Sequence, residues 1–332
     1  MEGNNMKQVH LLKGIVLAMG LTISFSLFWI PCVSAQGRIA QEDHWVSSAS
    51  AADGKPLKLY VREKRLKEVN VGQFSSTGKV ALLVHGATTP GHLAFDLQIP
   101  GNTGLTYSLM DYLAENKFDV FSVDYQNYGR SDQHDCGLCV TTQVAVNDID
   151  ATVDYIRNLR GVKQIYLLGW SWGTTTGGLY TMQRSFKIKR LVLYAPPVQK
   201  GPIGSPPIDQ FRPVTIEGTK GLFELQATDD IVVDTFVKEA VKFPKAPNGV
   251  FFDLNNRMPI VHPRQIAVPT MIIMGSLDRA TPITQPELPG FFAELANPDK
   301  QFIIVPGAGH TLIIQKPRLR FFVEVLKWFN LE

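Results

Sequence analysis

One serine of the sequence has the surroundings that a catalytic nucleophile needs. Ser171 lies between Gly169 and Gly173, in the pattern Gly-x-Ser-x-Gly. The apolar run at residues 165–168 is typical of a buried parallel strand, and the small residues after Ser171 suit a helix packed closely against a sheet. A serine on such a sharp turn has strained backbone geometry and an exposed hydroxyl, and glycines at its flanks let the neighbouring elements approach. The sequence therefore predicts that Ser171 is a nucleophile.

A serine hydroxyl is a weak nucleophile until a base removes its proton, and the base is best oriented by a carboxylate. His310 follows the last predicted strand on a glycine-rich loop, and Asp278 follows the preceding strand in the same way. Open α/β sheets gather functional groups beyond the carboxyl ends of their strands. We therefore predict a catalytic triad of Ser171, Asp278 and His310.

The tetrahedral intermediate of acyl transfer needs two backbone N–H donors for its oxyanion. One is expected from Trp172, the residue after the nucleophile, and the other from Ala87, in the loop after the first buried strand. We interpret His85 as a structural residue of that loop. Trp170 and Trp172 are predicted to pack beneath the serine, in preference to lining an acyl pocket.

The elements that must position these residues alternate along the chain. An amphipathic helix is expected at the end of the chain, and residues 36–50 are expected to be loosely ordered. The pattern favours a parallel sheet covered on both faces, with an antiparallel hairpin at one edge formed by residues 57–62 and 66–71. Strands are predicted at residues 79–84, 119–123, 165–168, 190–194, 269–274 and 301–305, and helices at 105–116, 144–160 and 317–329.

The alternation stops between residues 199 and 266, where prolines and glycines precede stretches of helical character. Insertions of this kind commonly form helical caps over active sites. We predict a cap at 199–266 and a core divided into residues 36–198 and 267–332.

The first 35 residues have the character of a secretory signal peptide. A segment with two lysines precedes an apolar run at residues 14–30, and small residues follow up to Ala35. We predict cleavage after Ala35, a secreted or periplasmic protein and no stable membrane anchor afterwards; an uncleaved anchor is the alternative. The chain of 332 residues has a net charge of only +3 and no basic patch interleaved with aromatic residues, so nucleic acid is not an expected partner.

Two cysteines remain after the predicted cleavage site, Cys136 and Cys139, in the spacing Cys-x-x-Cys. In an oxidising compartment a local disulfide is the first expectation, ahead of free thiols. A metal site with His134 lacks a fourth ligand, and a thioredoxin-like redox site lacks its strand-to-helix setting. We predict neither a metal nor a cofactor.

Taken together, these motifs resemble those of the α/β-hydrolase superfamily. They comprise His85-Gly86, residues 124–132, Gly169 to Gly173, Asp278 and residues 307–310. The chain is similar to secreted bacterial esterase- or lipase-like members of unassigned substrate, which share a His-Gly-Ala turn and a Phe-Asp-Leu stretch, here residues 95–97. It departs from them where Gln126-Asn127 replaces the usual Arg-Gly; asparagine can still adopt the left-handed conformation.

The resemblance implies an α/β-hydrolase fold, with a mostly parallel eight-stranded sheet and a helical cap, and a serine-dependent hydrolase of carboxylic esters or lactones. A serine at the nucleophile position argues against haloalkane dehalogenases and epoxide hydrolases. Two other classes stay open, because a fold does not determine a function. One is a ligand-binding or sensing protein with little turnover. The other is an acyltransferase, or a hydrolase of amide or C–C bonds, that uses the same triad.

Overall fold

The computed structural model describes residues 38–102 and 104–331. The predicted signal peptide, with its cleavage position after Ala35, lies outside the described residues. Within the described ranges, no helix is both long enough and apolar enough to cross a membrane.

Strands of the described chain form one large and one small sheet. Their bounds are β1 Ile39–Ala49, β2 Pro56–Leu66, β3 Val80–Val84, β4 Asp119–Val123, β5 Ile165–Trp170, β6 Ile188–Tyr194, β7 Phe211–Pro213, β8 Lys245–Pro247, β9 Thr270–Gly275 and β10 Lys300–Val305. The large sheet has eight strands in the order β1-β2-β4-β3-β5-β6-β9-β10. Strand β2 runs antiparallel to β1 and β4, and the remaining pairs are parallel. This confirms the mostly parallel eight-stranded sheet.

Helices cover both faces of this sheet. They are α1 Gln73–Thr77, α2 Gly91–Ala94, α3 Leu109–Glu115, α4 Thr142–Arg160, α5 Trp172–Arg184, α6 Ile216–Lys220, α7 Asp230–Ala240, α8 Gly249–Asn256, α9 Leu288–Glu294 and α10 Arg318–Asn330. Successive side chains of a strand point to opposite faces. Leu82 of β3 accordingly joins a core with Ile149 of α4, and Leu83 joins a second core with Phe322 of α10.

The amino-terminal edge of the sheet differs from the prediction. Residues 39–49, expected to be loosely ordered, form β1 and pair with β2 along their whole length. The predicted second hairpin strand at 66–71 is wrong, because β2 ends at Leu66. Strand β1 is polar because it is an edge strand with much of its surface in solvent, where charged cross-strand pairs such as Glu42 and Arg65 stabilise it.

The segment between β6 and β9 contains α6, α7 and α8, together with β7 and β8. These two short strands pair antiparallel in a sheet of their own. They were not predicted from the sequence, because a strand of three residues is too short to show an alternation of apolar and polar side chains. The limits of a cap at residues 199 and 266 stay a prediction.

Candidate active site

Ser171 lies between β5 and α5 with φ of 57° and ψ of −122°. Such positive φ values cost a residue other than glycine about 1–3 kcal/mol, and they are concentrated at functional sites. The flanking glycines permit the turn: a Cβ atom on Gly169 would lie 2.1 Å from the Gly173 carbonyl oxygen, and one on Gly173 would lie 2.3 Å from that of Val84. The local sequence thus produces a sharp turn that presents one hydroxyl.

Asp278 and His310 form a buried hydrogen-bonded pair. The distance from His310 Nδ1 to Asp278 Oδ2 is 2.8 Å. The other carboxylate oxygen, Oδ1, accepts the backbone N–H groups of Ala280 at 2.9 Å and Thr281 at 2.8 Å. Because an ionised carboxylate only accepts, His310 carries its proton on Nδ1 and leaves Nε2 able to accept one.

Two aromatic side chains hold the backbone of His310. Its carbonyl oxygen accepts the indole N–H of Trp170 at 3.0 Å and the hydroxyl of Tyr194 at 2.6 Å. Burial raises the pKa of Tyr194 well above its ordinary value, so the phenol stays protonated and donates. These bonds tie the histidine loop to β5 and β6.

Ser171 and His310 line the same cavity, which has a volume of about 190 Å³. Between these two described residues the structure forms no direct hydrogen bond. Nucleophile–base contacts are often long without substrate and tighten when it binds. Trp170 and Trp172 are both nearly buried, but each also contributes to the cavity wall, so the predicted preference for packing over lining the cavity is wrong.

Both predicted oxyanion donors border this cavity. Trp172 is the first residue of α5, so its N–H has no acceptor within the helix. The Ala87 N–H makes no hydrogen bond among the described residues. Close approach is possible because residue 86 is glycine: a Cβ there would lie 3.1 Å from that of Ser171.

His85 holds the peptide group that contains the Ala87 N–H. The Tyr125 N–H lies 3.2 Å from His85 Nε2, which must therefore accept, so Nδ1 donates to the Gly86 carbonyl oxygen at 2.7 Å. Burial lowers the pKa of His85 to about 4, which keeps the ring neutral. The Gly86 carbonyl and the Ala87 N–H belong to one planar peptide group, so His85 fixes the direction of both. This agrees with its interpretation as a structural residue.

The Ala87 carbonyl is held as well. It accepts the Tyr128 hydroxyl at 2.7 Å and a guanidinium N–H of Arg212, from β7. Burial raises the pKa of Tyr128 to about 12, so this phenol also stays protonated. The sequence analysis missed both residues: Tyr128 lies in the recognised motif at residues 124–132 without a predicted role, and nothing in the sequence around Arg212 connects it with Ala87.

The loop after β4 supports the same region. The Asp124 carboxylate lies 2.7 Å from His92 Nδ1 and accepts the Arg130 N–H at 3.0 Å. Burial raises the pKa of Asp124, but the interaction with His92 helps to hold this pKa below its ordinary value. Asn127 has φ of 63°. The left-handed conformation expected for Asn127 is thus confirmed.

The remaining cavity wall is mostly apolar. Between β6 and β9 the chain contributes Ile203, Leu222, Phe251 and Leu254. The polar lining residues are threonines, Ser171 and His310, and no Asp, Glu, Lys or Arg side chain lines the cavity within the described part of the chain. An uncharged, apolar group would therefore be bound more favourably than an ion.

Cys136 and Cys139 are joined by a disulfide, with their Cα atoms 5.3 Å apart. The loop that they close contacts the start of α8, because the Gly137 carbonyl accepts the N–H of Gly249 at 3.1 Å. His134 instead hydrogen-bonds Gln126 at 2.9 Å.

One further group of possible metal ligands, Glu42, His44 and Glu63, has its ligand atoms within 4.8 Å of one another. Arg65 binds both carboxylates, and the Tyr155 hydroxyl contacts His44 Nδ1 at 2.9 Å. These contacts already satisfy the group as an ion-pair cluster.

Comparison with known proteins identifies the family to which this chain belongs. Residues 81–323 match the model of the alpha/beta hydrolase family, and the chain belongs to that family. A search of curated proteins finds no match.

Many solved structures share the fold. An esterase from Exiguobacterium antarcticum is 17% identical with a TM-score of 0.64, over 87% of this chain and 100% of that one. A thermophilic esterase from Thermogutta terrifontis is 16% identical with a TM-score of 0.62, over 87% and 98%. A serine hydrolase involved in carbazole degradation is 18% identical with a TM-score of 0.59, over 88% and 100%. At these identities the likeness concerns the fold.

Proposed function

We propose that this protein is a secreted serine hydrolase that cleaves carboxylic esters or lactones through an acyl-enzyme. The observation that carries the proposal is that Ser171 and His310 line the same cavity, while Asp278 is hydrogen-bonded to Nδ1 of His310. Membership of the alpha/beta hydrolase family supports hydrolysis as the general activity.

In the proposed reaction Ser171 Oγ attacks the ester carbonyl carbon while His310 Nε2 takes its proton. Asp278 stabilises the resulting imidazolium, and the N–H groups of Ala87 and Trp172 bind the oxyanion. His310 then gives the proton to the leaving alcohol as the C–O bond breaks, which leaves an acylated serine. Water, deprotonated by His310, then attacks this acyl group. The bond to Ser171 Oγ breaks as His310 returns the proton to that oxygen, and the carboxylic acid is released.

The proposed substrates carry an uncharged, apolar group on at least one side of the ester. Ile203, Leu222 and Phe251 provide contact area for such a group, and each methylene removed from water contributes about 0.8 kcal/mol. A charged group in the same place would lose its hydration without a partner. Export, with cleavage after Ala35, is part of the proposal and rests on the sequence; the amino-terminal residue of the exported protein tests it.

The test compares the wild type with Ser171→Ala on p-nitrophenyl esters of two to twelve acyl carbons. Loss of the nucleophile should reduce kcat by a factor on the order of 10⁶, as for other enzymes that use such a triad. Thr174→Ser serves as the control, since Thr174 binds the Ser171 carbonyl at 2.6 Å and its hydroxyl is retained. Unchanged turnover by Ser171→Ala would refute the proposal. Added alcohol as a competing acceptor distinguishes hydrolysis from acyl transfer.

A further inference from the structure

Arg212 is a cation of the small sheet whose hydrogen bonds to described residues all go to neutral oxygen atoms. Its Nη2 donates to the Ala87 carbonyl and, at 3.1 Å, to Thr88 Oγ1. Its Nη1 donates to the Pro247 carbonyl and, at 3.3 Å, to Asn248 Oδ1. One planar guanidinium therefore joins the predicted oxyanion loop to the end of β8.

The guanidinium is held rigidly enough to serve as a support. Its central carbon lies 4.6 Å from the centroid of the Phe251 ring, and that ring lines the active-site cavity. A guanidinium presents its N–H groups in a fixed fork and stacks on aromatic faces, properties that lysine lacks. The position of Arg212 is thus set by β7, β8 and α8 together.

The two peptide groups that flank the Ala87 Cα are both restrained. His85 binds the carbonyl of the group that contains the Ala87 N–H, while Tyr128 and Arg212 bind the carbonyl of the next group. Each peptide group is planar, so the angle between the two groups depends only on φ and ψ of Ala87. Fixing both planes removes that freedom, and a fixed donor needs no reorganisation when the oxyanion forms.

We propose that Arg212 is a positioning residue that lets the segment between β6 and β9 hold the oxyanion hole in its active geometry. The inference rests on the proposed function, because it assigns Arg212 a role in stabilising the oxyanion of that reaction. It predicts that Arg212 contributes to kcat and little to binding of the uncharged ground state.

Arg212→Met tests this inference and Lys245→Met is its matched control. Lys245 is a cation of the paired strand β8 that lies 4.2 Å from the Phe211 ring centroid and is exposed. For each variant kcat and KM are measured on p-nitrophenyl butyrate. Inhibition constants are measured for an alkyl trifluoromethyl ketone, which forms a tetrahedral adduct with serine, and for the matching secondary alcohol, which does not.

Removing one oxyanion donor costs about 10²–10³ in kcat, so misaligning one without removing it should cost Arg212→Met about tenfold. KM and alcohol binding should stay within about twofold, while trifluoromethyl ketone binding weakens about as much as kcat. Lys245→Met should match the wild type in all four quantities.

Equal weakening of ketone binding and alcohol binding, or a kcat within twofold of the wild type, would overturn the role of Arg212. The proposed function would still stand in that case if Ser171→Ala is inactive. An active Ser171→Ala variant would overturn both the role of Arg212 and the proposed function. If Arg212→Met does not fold, Arg212→Lys decides, because it keeps the charge and can give one hydrogen bond to Ala87. That variant should lose about threefold in kcat and in ketone binding, with alcohol binding unchanged; an unaltered kcat would contradict the inference.

Discussion

Replacing Asp278 by asparagine should reverse the hydrogen bond that orients His310. Oδ1 of Asp278 accepts two backbone N–H groups, so the amide oxygen of Asn must occupy that place and its NH₂ must face the histidine. The Thr281 hydroxyl, 2.9 Å from Oδ2, can accept from this NH₂ while it donates to the Ala195 carbonyl at 3.2 Å. The NH₂ then donates to His310 Nδ1. The ring proton therefore moves to Nε2, the nitrogen that must be unprotonated to act as the base.

This change should lower kcat by about 10⁴, or about 5 kcal/mol of transition-state stabilisation, because the wrong tautomer cannot take the serine proton. Stopped assays with p-nitrophenyl butyrate measure the loss, and ¹⁵N NMR of labelled histidine identifies the protonated nitrogen. The hydrogen bonds to Ala280 and Thr281 remain, so the midpoint of urea unfolding should shift little. A variant that keeps more than a tenth of its kcat, or whose His310 keeps its proton on Nδ1, would refute the reasoning.

Three other predictions concern stability. Folded His85 stays neutral down to about pH 4, whereas the unfolded chain binds a proton below about 6.5; stability should therefore fall as pH drops through this window, by up to about 3 kcal/mol. His85→Asn should remove that part of the slope in urea titrations at several pH values. Gly169→Ala should destabilise the fold by about 3 kcal/mol or more, because the added Cβ atom would lie 2.1 Å from a carbonyl oxygen. Gly290→Ala should not, because nothing lies within 4 Å of its added Cβ atom. Equal unfolding midpoints of the two variants would contradict the steric argument. Replacing both Cys136 and Cys139 by serine should lower the free energy of unfolding by about 2 kcal/mol. The unfolding midpoint of the variant should also lose its sensitivity to reductant.

Much of the sheet could be predicted because buried parallel strands are short apolar runs bounded by glycines. The strands before Ser171 and Asp278 have this pattern, whereas the strand before His310 is the apolar edge strand β10, in which only Val305 is buried. The carboxyl ends of all three strands place the side chains at one edge of the sheet. The edge strand β1 could not be found in this way, because about half of its residues are exposed and only Val46 is buried, so it contains no apolar run.

The supports of the site were harder to predict than its central residues. Tyr194 and Arg212 act through backbone carbonyls of distant residues, His310 and Ala87, and a carbonyl acceptor leaves no trace in the sequence. Short strands such as β7 have no period to recognise. Chemistry that depends on side-chain type was therefore visible in the sequence, whereas the contacts that fix its geometry required coordinates.

Covalent labelling of the active-site serine tests the nucleophile most directly. The protein would be incubated with a fluorophosphonate, digested and mapped by mass spectrometry, with Ser171→Ala treated in parallel. One adduct is expected, on the peptide that contains Ser171, and none on the variant. An adduct on another residue, or equal labelling of both proteins, would contradict it.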